Sequence, residues 1–344
     1  MAAGALTVED HRDASLLRRM RDDVEPGIRA AIGRLPAGLR HIGGYHLGWW
    51  DERGSPESGT GGKAVRGALV LAANRAMGGD AALSGAVAVE LVHNFTLVHD
   101  DVMDRDATRR HRPTVWAVFG IADAILIGDA LQALAVSVLA QDPHAAALPA
   151  MGRLAGCMIE LCQGQSADCA FEHRTDITLG QCEAMAMGKT GSLFGSACAI
   201  GALYAGAAPS AVDALDEFGR QLGLAFQLVD DLLGIWGDPA VTGKPAGADL
   251  LARKKSLPVV AALTSGTAAG EELAAVYNTD LPLDDAGLER VADLVERAGG
   301  RDWARNRAAE RRAAALAQLR TVVPDAEQSR DLLTLADLLT RRVN

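Results

Sequence analysis

The stretch LVHDDVMDRDATRRHRPTVW, residues 97–116, decides the reading of the chain. Asp100, Asp101 and Asp104 interrupt an apolar run, and Arg109, Arg110 and Arg112 follow within about two helical turns. In a helix, Asp100 and Asp104 share one face, and Asp101 lies about 100° round from Asp100. Three carboxylates so close repel one another unless a cation joins them. Hard oxygen ligands with open positions suit Mg²⁺, which keeps waters and recruits substrate phosphates. The arginines offer forked donors that match phosphate oxygens. The local pattern is that of a Mg²⁺–polyphosphate site.

Composition sets the frame. The chain has 344 residues, is 49% hydrophobic and only 4% aromatic, and its 12 prolines fall mostly between periodic apolar runs. That favours helix throughout and argues against a β sandwich or a nucleotide-binding α/β sheet. The predicted fold class is all-α, with residues 1–344 as a single domain. A formal charge of −10 with no broad basic excess argues against a nucleic-acid partner. Five cysteines (157, 162, 169, 182 and 198) form no CxxC pair and lie in apolar context, as expected of buried, reduced thiols in a cytoplasmic protein. The first residues, MAAGALTVEDHRD, carry acids early and no apolar core, so no signal peptide is read. Residues 190–212 lack charge and are long enough to span a membrane. Their Gly, Ala and Ser content and Pro209 favour a close-packed buried helix, so no transmembrane segment is expected.

Outward from the central stretch, residues 7–35 read as a helix whose buried side is Leu16, Leu17, Met20, Val24, Ile28 and Ile32. Residues 51–62 form a loop, and GGKAVR sets Lys63 and Arg66 three apart at a helix start. Residues 82–105, 115–140, 149–170, 176–206 and 210–236 read as apolar helices, that at 115–140 buried with Asp123 and Asp129 as isolated polar points. A Gly/Pro-rich loop with Lys244, Asp249, Arg253, Lys254 and Lys255 follows. The segment 256–344 is helical and more solvated, with Arg311, Arg312, Arg341 and Arg342 as surface charges. LVHDDVMD and LVDDLLGIWGD are similar phrases. Each sets an Asp pair after an apolar helix and before a basic segment, as two halves of a diphosphate clamp would.

DDVMD with RRHRPT, FQLVDD with GKP and KKSLP, and GGKAVR upstream resemble the trans-isoprenyl diphosphate synthases over about residues 40–260. The resemblance implies ten or more helices around a deep cavity, usually in a homodimer. It also implies head-to-tail condensation of isopentenyl diphosphate with an allylic diphosphate. Under it, Asp100, Asp101 and Asp104 hold Mg²⁺ on the allylic diphosphate, and Asp230 and Asp231 hold a further ion, three in all. Arg109, Lys189 and Lys244 resemble the allylic-diphosphate cations. Lys63, Arg66 and Arg110, with His93 beside them, resemble the isopentenyl-diphosphate site. Gln227 resembles a residue near the reacting carbons, and Thr190 a polar neighbour of the developing cation.

Three positions depart from the family pattern. Ala64 stands where a basic residue is usual, His111 where a glycine is, and Gly234 where the second acidic motif would carry a third Asp. Asp238, four residues on, could compensate only if its helix ends early. Phe95, with small Thr96 beside it and no insertion in the first motif, resembles the geranylgeranyl type. Two other readings share these features. A class I terpene cyclase would ionise the same diphosphate, and a non-catalytic subunit of a heteromeric synthase would tolerate the changes at 64 and 234.

Overall fold

The computed structural model describes residues 8–57, 62–238, 247–279 and 283–341, with side chains from residue 15 onward. Helix α1 spans Val8–Gly33, α2 Ala37–His46, α3 Val65–Ala76 and α4 Leu83–Met103. A two-residue hairpin, β1 (Thr108–Arg109) and β2 (Arg112–Pro113), leads into α5 (Val115–Phe119), α6 (Ile121–Ala140) and α7 (Ala147–Glu172). Next come α8 (Leu179–Ala186), a π turn (Met187–Gly191), α9 (Ser192–Tyr204) and α10 (Pro209–Trp236). The remainder is α11 (Ala248–Leu251), α12 (Leu257–Leu263), α13 (Ala268–Tyr277), α14 (Asp285–Arg297), α15 (Gly300–Val322) and α16 (Arg330–Thr340). The architecture is all-α, as the periodicity predicts.

The chain forms two compact units. One comprises residues 1–158, 196–216 and 319–335, and the other residues 159–195, 217–318 and 336–344. In the first, α4 packs against α1, α3 and α6. The predicted apolar stripe of α1 is buried as expected, from Leu16 to Ile32. Ala86, Val89, Val92 and Val98 of α4 have no exposed surface. Side chains of Val or Leu size buried this way each contribute roughly 1.5–3 kcal/mol, which fixes the end of α4 that carries the Asp cluster. In the second unit, Phe171, Cys182, Leu224, Leu228, Leu232, Leu257 and Val260 form one core cluster, and Ile235, Leu250, Leu273, Val291 and Leu294 another.

Three predicted elements differ from those observed. The helix read over 115–140 breaks at Gly120, whose φ of 92° few residues with a Cβ adopt. Its second half, α6, is not fully buried: Ile121, Ile125 and Leu126 are exposed. A helix that is apolar all round gives periodicity nothing to distinguish its faces. Among the described residues, α6 is also the one helix long and apolar enough, by length and composition, to cross a membrane. The segment 176–206 is three elements. Thr178 caps α8 through a capping box with Gln181, and the π turn then separates α8 from α9. Finally, of the late arginines expected at the surface, Arg311 and Arg312 are half-buried, while Arg341 is exposed as expected. Arg311 pairs with Glu183 at 2.9 Å, and Arg312 and Arg341 both bind Asp337; Arg342 lies outside the described residues.

Candidate active site

In the first unit, α4 ends on the acidic cluster. Asp101 is buried and Asp100 half-buried, while Asp104, the C-cap, is exposed. The Asp101 carboxylate accepts from Arg109 Nε at 2.6 Å. Burial pushes Asp101 up to about 6; Arg109 opposes this, while Asp106 and Asp100 add to it. Arg109 reaches Asp101 because residues 108–113 fold back as a hairpin rather than continuing the helix. Arg109 pairs with Arg112, and Arg110 and His111 form the two-residue turn with φ of 51° and 62°. Left-handed geometry at both positions is the type I′ pattern, where glycine or asparagine is usual. His111 meets it at the cost that a Cβ imposes there.

The hairpin corrects the sequence reading of Arg112. This guanidinium donates to the Tyr45 and Trp50 carbonyls at 2.9 and 3.0 Å, binds Glu57 at 2.9 Å and stacks on Tyr45. It anchors the 45–57 segment and is no phosphate donor. The other cations have a different setting. Lys63 is exposed just before α3, and Arg66 Nη1 lies 3.1 Å from His93 Nε2. His93 is held well below its usual pKa by burial and then by Arg66, Arg110 and Arg109. His46, bonded to Asn94, is lowered to about 3 by burial and Arg110. Two neutral imidazoles within reach of these guanidinium charges mark a local positive field. Glu90, missed at the sequence level, accepts from the Gly67 amide at 2.8 Å and so fastens the start of α3 to α4. Its only signal was a charge on an otherwise apolar face.

Phe95 is buried on α4 and meets His99 edge to face, with centroids 5.4 Å apart. Thr96 is half-buried, its hydroxyl donating to the His93 carbonyl. His99 bonds the Ile125 carbonyl of α6 at 3.1 Å.

In the second unit, the π turn positions Lys189 and Thr190. Gly164 of α7 lets the backbones touch: a Cβ there would lie 2.5 Å from the Lys189 nitrogen. The Lys189 ammonium binds Asp168 at 2.7 Å, and Asp168 is a second residue to which sequence gave no role. Thr190 donates to Gln227 Oε1 at 2.7 Å, Gln227 Nε2 donates to Asp231 Oδ1 at 2.8 Å, and the Leu257 amide donates to Asp231 Oδ2 at 3.0 Å. Asp230, its neighbour, is exposed. Each acidic motif therefore splits into a buried carboxylate engaged by protein donors and a neighbour less deeply buried.

Burial pushes Asp231 up to about 7, with Lys254 opposing and Asp249 adding. Lys254 itself is held above its usual range. Burial opposes its charge, but Asp249, Asp231, Asp168 and Asp230 outweigh burial. A lysine within the field of four carboxylates was not legible in KKSLP. Lys244 lies outside the described residues. Helix α10 stops at Trp236, two residues short of Asp238, the acid that the sequence offers for the gap at 234. The Asp249 carboxylate lies against Gly234, so that a Cβ there would meet its Oδ2 at 2.3 Å. All five cysteines are free; Cys157, Cys182 and Cys198 are buried as expected, but Cys162 is exposed.

Burial of Asp231 couples the stability of the fold to pH. Between 3.8 and about 7 the folded protein keeps a proton that the unfolded chain has lost. Stability therefore falls as pH rises through that window, by at most about 1.4 kcal/mol per unit. Asp231→Asn is expected to lose the part of this slope between pH 6 and 7, where the share of Asp101 has ended. Denaturant unfolding from pH 5 to 7.5 measures it, and identical slopes in both proteins would contradict it.

The polyprenyl synthetase family model matches residues 56–295. A geranylgeranyl diphosphate synthase of Mycobacterium tuberculosis is 50% identical over 95% of this chain and 93% of its own. A (2E,6E)-farnesyl diphosphate synthase of the same species is 51% identical over 82% of this chain and 80% of its own. The crystal structure of a polyprenyl synthetase from Streptomyces coelicolor superposes with a TM-score of 0.90 at 44% identity, covering 94% of this chain and 98% of that one. The chain belongs to the polyprenyl synthetase family. It is a prenyltransferase, which sets aside the cyclase and non-catalytic readings.

Proposed function

We propose that the protein condenses isopentenyl diphosphate head-to-tail with an allylic diphosphate (dimethylallyl, geranyl or farnesyl) and releases pyrophosphate, with geranylgeranyl diphosphate as product. The observation that carries this is the positive field of Arg66, Arg109 and Arg110 around neutral His93, next in the chain to outward carboxylates. Lys63, Arg66 and Arg110 take isopentenyl diphosphate beside His93. Arg109, Lys189 and Lys244 take the allylic diphosphate. When its C–O bond ionises, the electron pair leaves with pyrophosphate. The isopentenyl double bond forms the new C–C bond, and a proton is lost to the departing pyrophosphate. Thr190 and Gln227, locked together by their hydrogen bond, stand as dipoles toward the cation.

The carboxylates suit Mg²⁺ in kind. All are hard oxygen donors; burial is what chiefly raises Asp101, and Asp106 and Asp100 add negative charge to it that a divalent ion would relieve. Among the described residues no three His, Cys, Asp or Glu side chains converge on one point. Mg²⁺ does not require that, since it retains waters and takes substrate oxygens. When bound, it supplies neutralisation of the leaving diphosphate. Asp100, Asp104 and Asp230 are the outward ligands in this reading. The buried Asp101 and Asp231, also assigned as ligands from sequence, complete the set from inside and hold Arg109 and Gln227 in place. A homodimer fits the exposed apolar side of α6, and free thiols fit the cytoplasm.

Purified protein with Mg²⁺, isopentenyl diphosphate and each allylic primer in turn should yield a twenty-carbon diphosphate; no elongation with any primer would refute the reading. Relatives of nearly equal identity are named for fifteen- and twenty-carbon products, so length rests on the α4 side chains. Phe95→Ala opens space one turn below Asp100 and is expected to shift at least half of the product beyond twenty carbons by chromatography. An unchanged distribution would remove Phe95 as the floor.

A further inference from the structure

We propose that Asp249 supplies, from α11, the third carboxylate that Gly234 leaves out of the second acidic cluster, so that positions 234 and 249 form an exchangeable pair. The inference rests on the reading of that cluster as a metal–diphosphate site.

An aspartate at 234, one turn beyond Asp230 and Asp231, would launch its side chain from the Gly234 Cα. That space is taken. A Cβ built on Gly234 would lie 2.3 Å from Asp249 Oδ2, 2.6 Å from its Cγ and 3.0 Å from Oδ1. Such separations are too short for any Cβ, so the carboxylate group itself, not merely its edge, rests on the glycine. Three further facts place the Asp249 charge with the cluster. It is the second of the charges that bear on Asp231, after Lys254, and it acts in the same direction as burial. It is also the foremost of the carboxylates acting on Lys254. And it stands in the first turn of α11, directly after Gly247 at a φ of 73°, with its carboxylate against Gly234 of α10. Position 234 thus lacks a carboxylate in sequence but not in space. The glycine is required because the acid arrives from elsewhere, and an acid at both positions would set two like charges in one volume.

This predicts sign reversal between single and double substitutions. Four proteins are compared with wild type: Gly234→Asp, Asp249→Ala, the isosteric Asp249→Asn, and Gly234→Asp combined with Asp249→Ala. Isothermal titration of Mg²⁺ with inorganic pyrophosphate gives binding without turnover, and thermal unfolding reports folding of each variant. Asp249→Ala and Asp249→Asn are expected to weaken binding about 10-fold or more. Gly234→Asp is expected to weaken it similarly and to lower the unfolding temperature. The double variant is expected to return to within about threefold of wild type, because the acid is restored where the space has been cleared. The pairing is overturned if Gly234→Asp alone binds as wild type, if Asp249→Asn binds as wild type, or if the double variant is no better than the weaker single. Should wild type itself bind no Mg²⁺–pyrophosphate, the metal-site reading fails first, a distinct outcome.

Discussion

Replacing Asp100 with alanine is expected to lower kcat by about 10²–10³-fold, the cost of removing one preorganised electrostatic partner from a charge-separating step. Asp100 is only half-buried, and its charge adds to the burial that raises Asp101. Removing it takes away a charge from a crowded set, so the unfolding temperature should move little. The Mg²⁺ concentration for half-maximal rate should rise. Asp101→Asn makes the useful contrast, because it frees Arg109 from its 2.6 Å partner and should perturb substrate affinity as well as rate. If Asp100→Ala keeps kcat within threefold of wild type while binding Mg²⁺ normally, Asp100 is not a ligand.

Lys254→Met is expected to show the largest loss of stability. The ammonium stands in the field of Asp249, Asp231, Asp168 and Asp230. Without it, buried Asp231 has lost its main opposing charge. Removing one side of a buried charge set costs about 3–5 kcal/mol, and the partial exposure of Lys254 brings the expectation to about 2–3 kcal/mol. Methionine preserves the aliphatic stem, so the effect reads the charge. The loss should be greater at pH 8 than at pH 5, because Asp231 takes up a proton below about 7 and then needs no counter-charge. Mg²⁺ with pyrophosphate should recover more stability in the variant than in wild type. Equal losses at both pH values, measured by thermal unfolding, would show that packing and not charge was removed.

The helical class, the α1 stripe and the two acidic motifs were legible because they depend on local periodicity and on residues close in sequence. What escaped depends on long-range return of the chain. Arg112 looked like its two neighbours until the hairpin turned it onto backbone carbonyls of residues 45 and 50. Asp168 meets Lys189 across 21 positions, and no spacing rule links them. Asp249 was visible in the basic loop, but only its approach to Gly234 gives the missing third acid an address. The split within each Asp pair was equally hidden. Adjacent residues on a helix differ by about 100°, and which of the two turns inward is set by the elements packed there.

The π turn at Met187–Gly191 carries a consequence for how this chain can change length. A π turn accommodates one residue more than an α-helical turn would, so α8 and α9 are out of phase by one step. Two consecutive side chains exploit that offset, Lys189 reaching α7 and Thr190 reaching α10. Loss of a single residue here would let the helix close its ordinary ladder and turn α9 through about 100°. The charge-free face of α9, buried along its whole length, would then have to repack, and the lysine and threonine would part from their partners together. The segment works as a phase setting in the backbone, one that side-chain substitution leaves intact and a one-codon deletion erases.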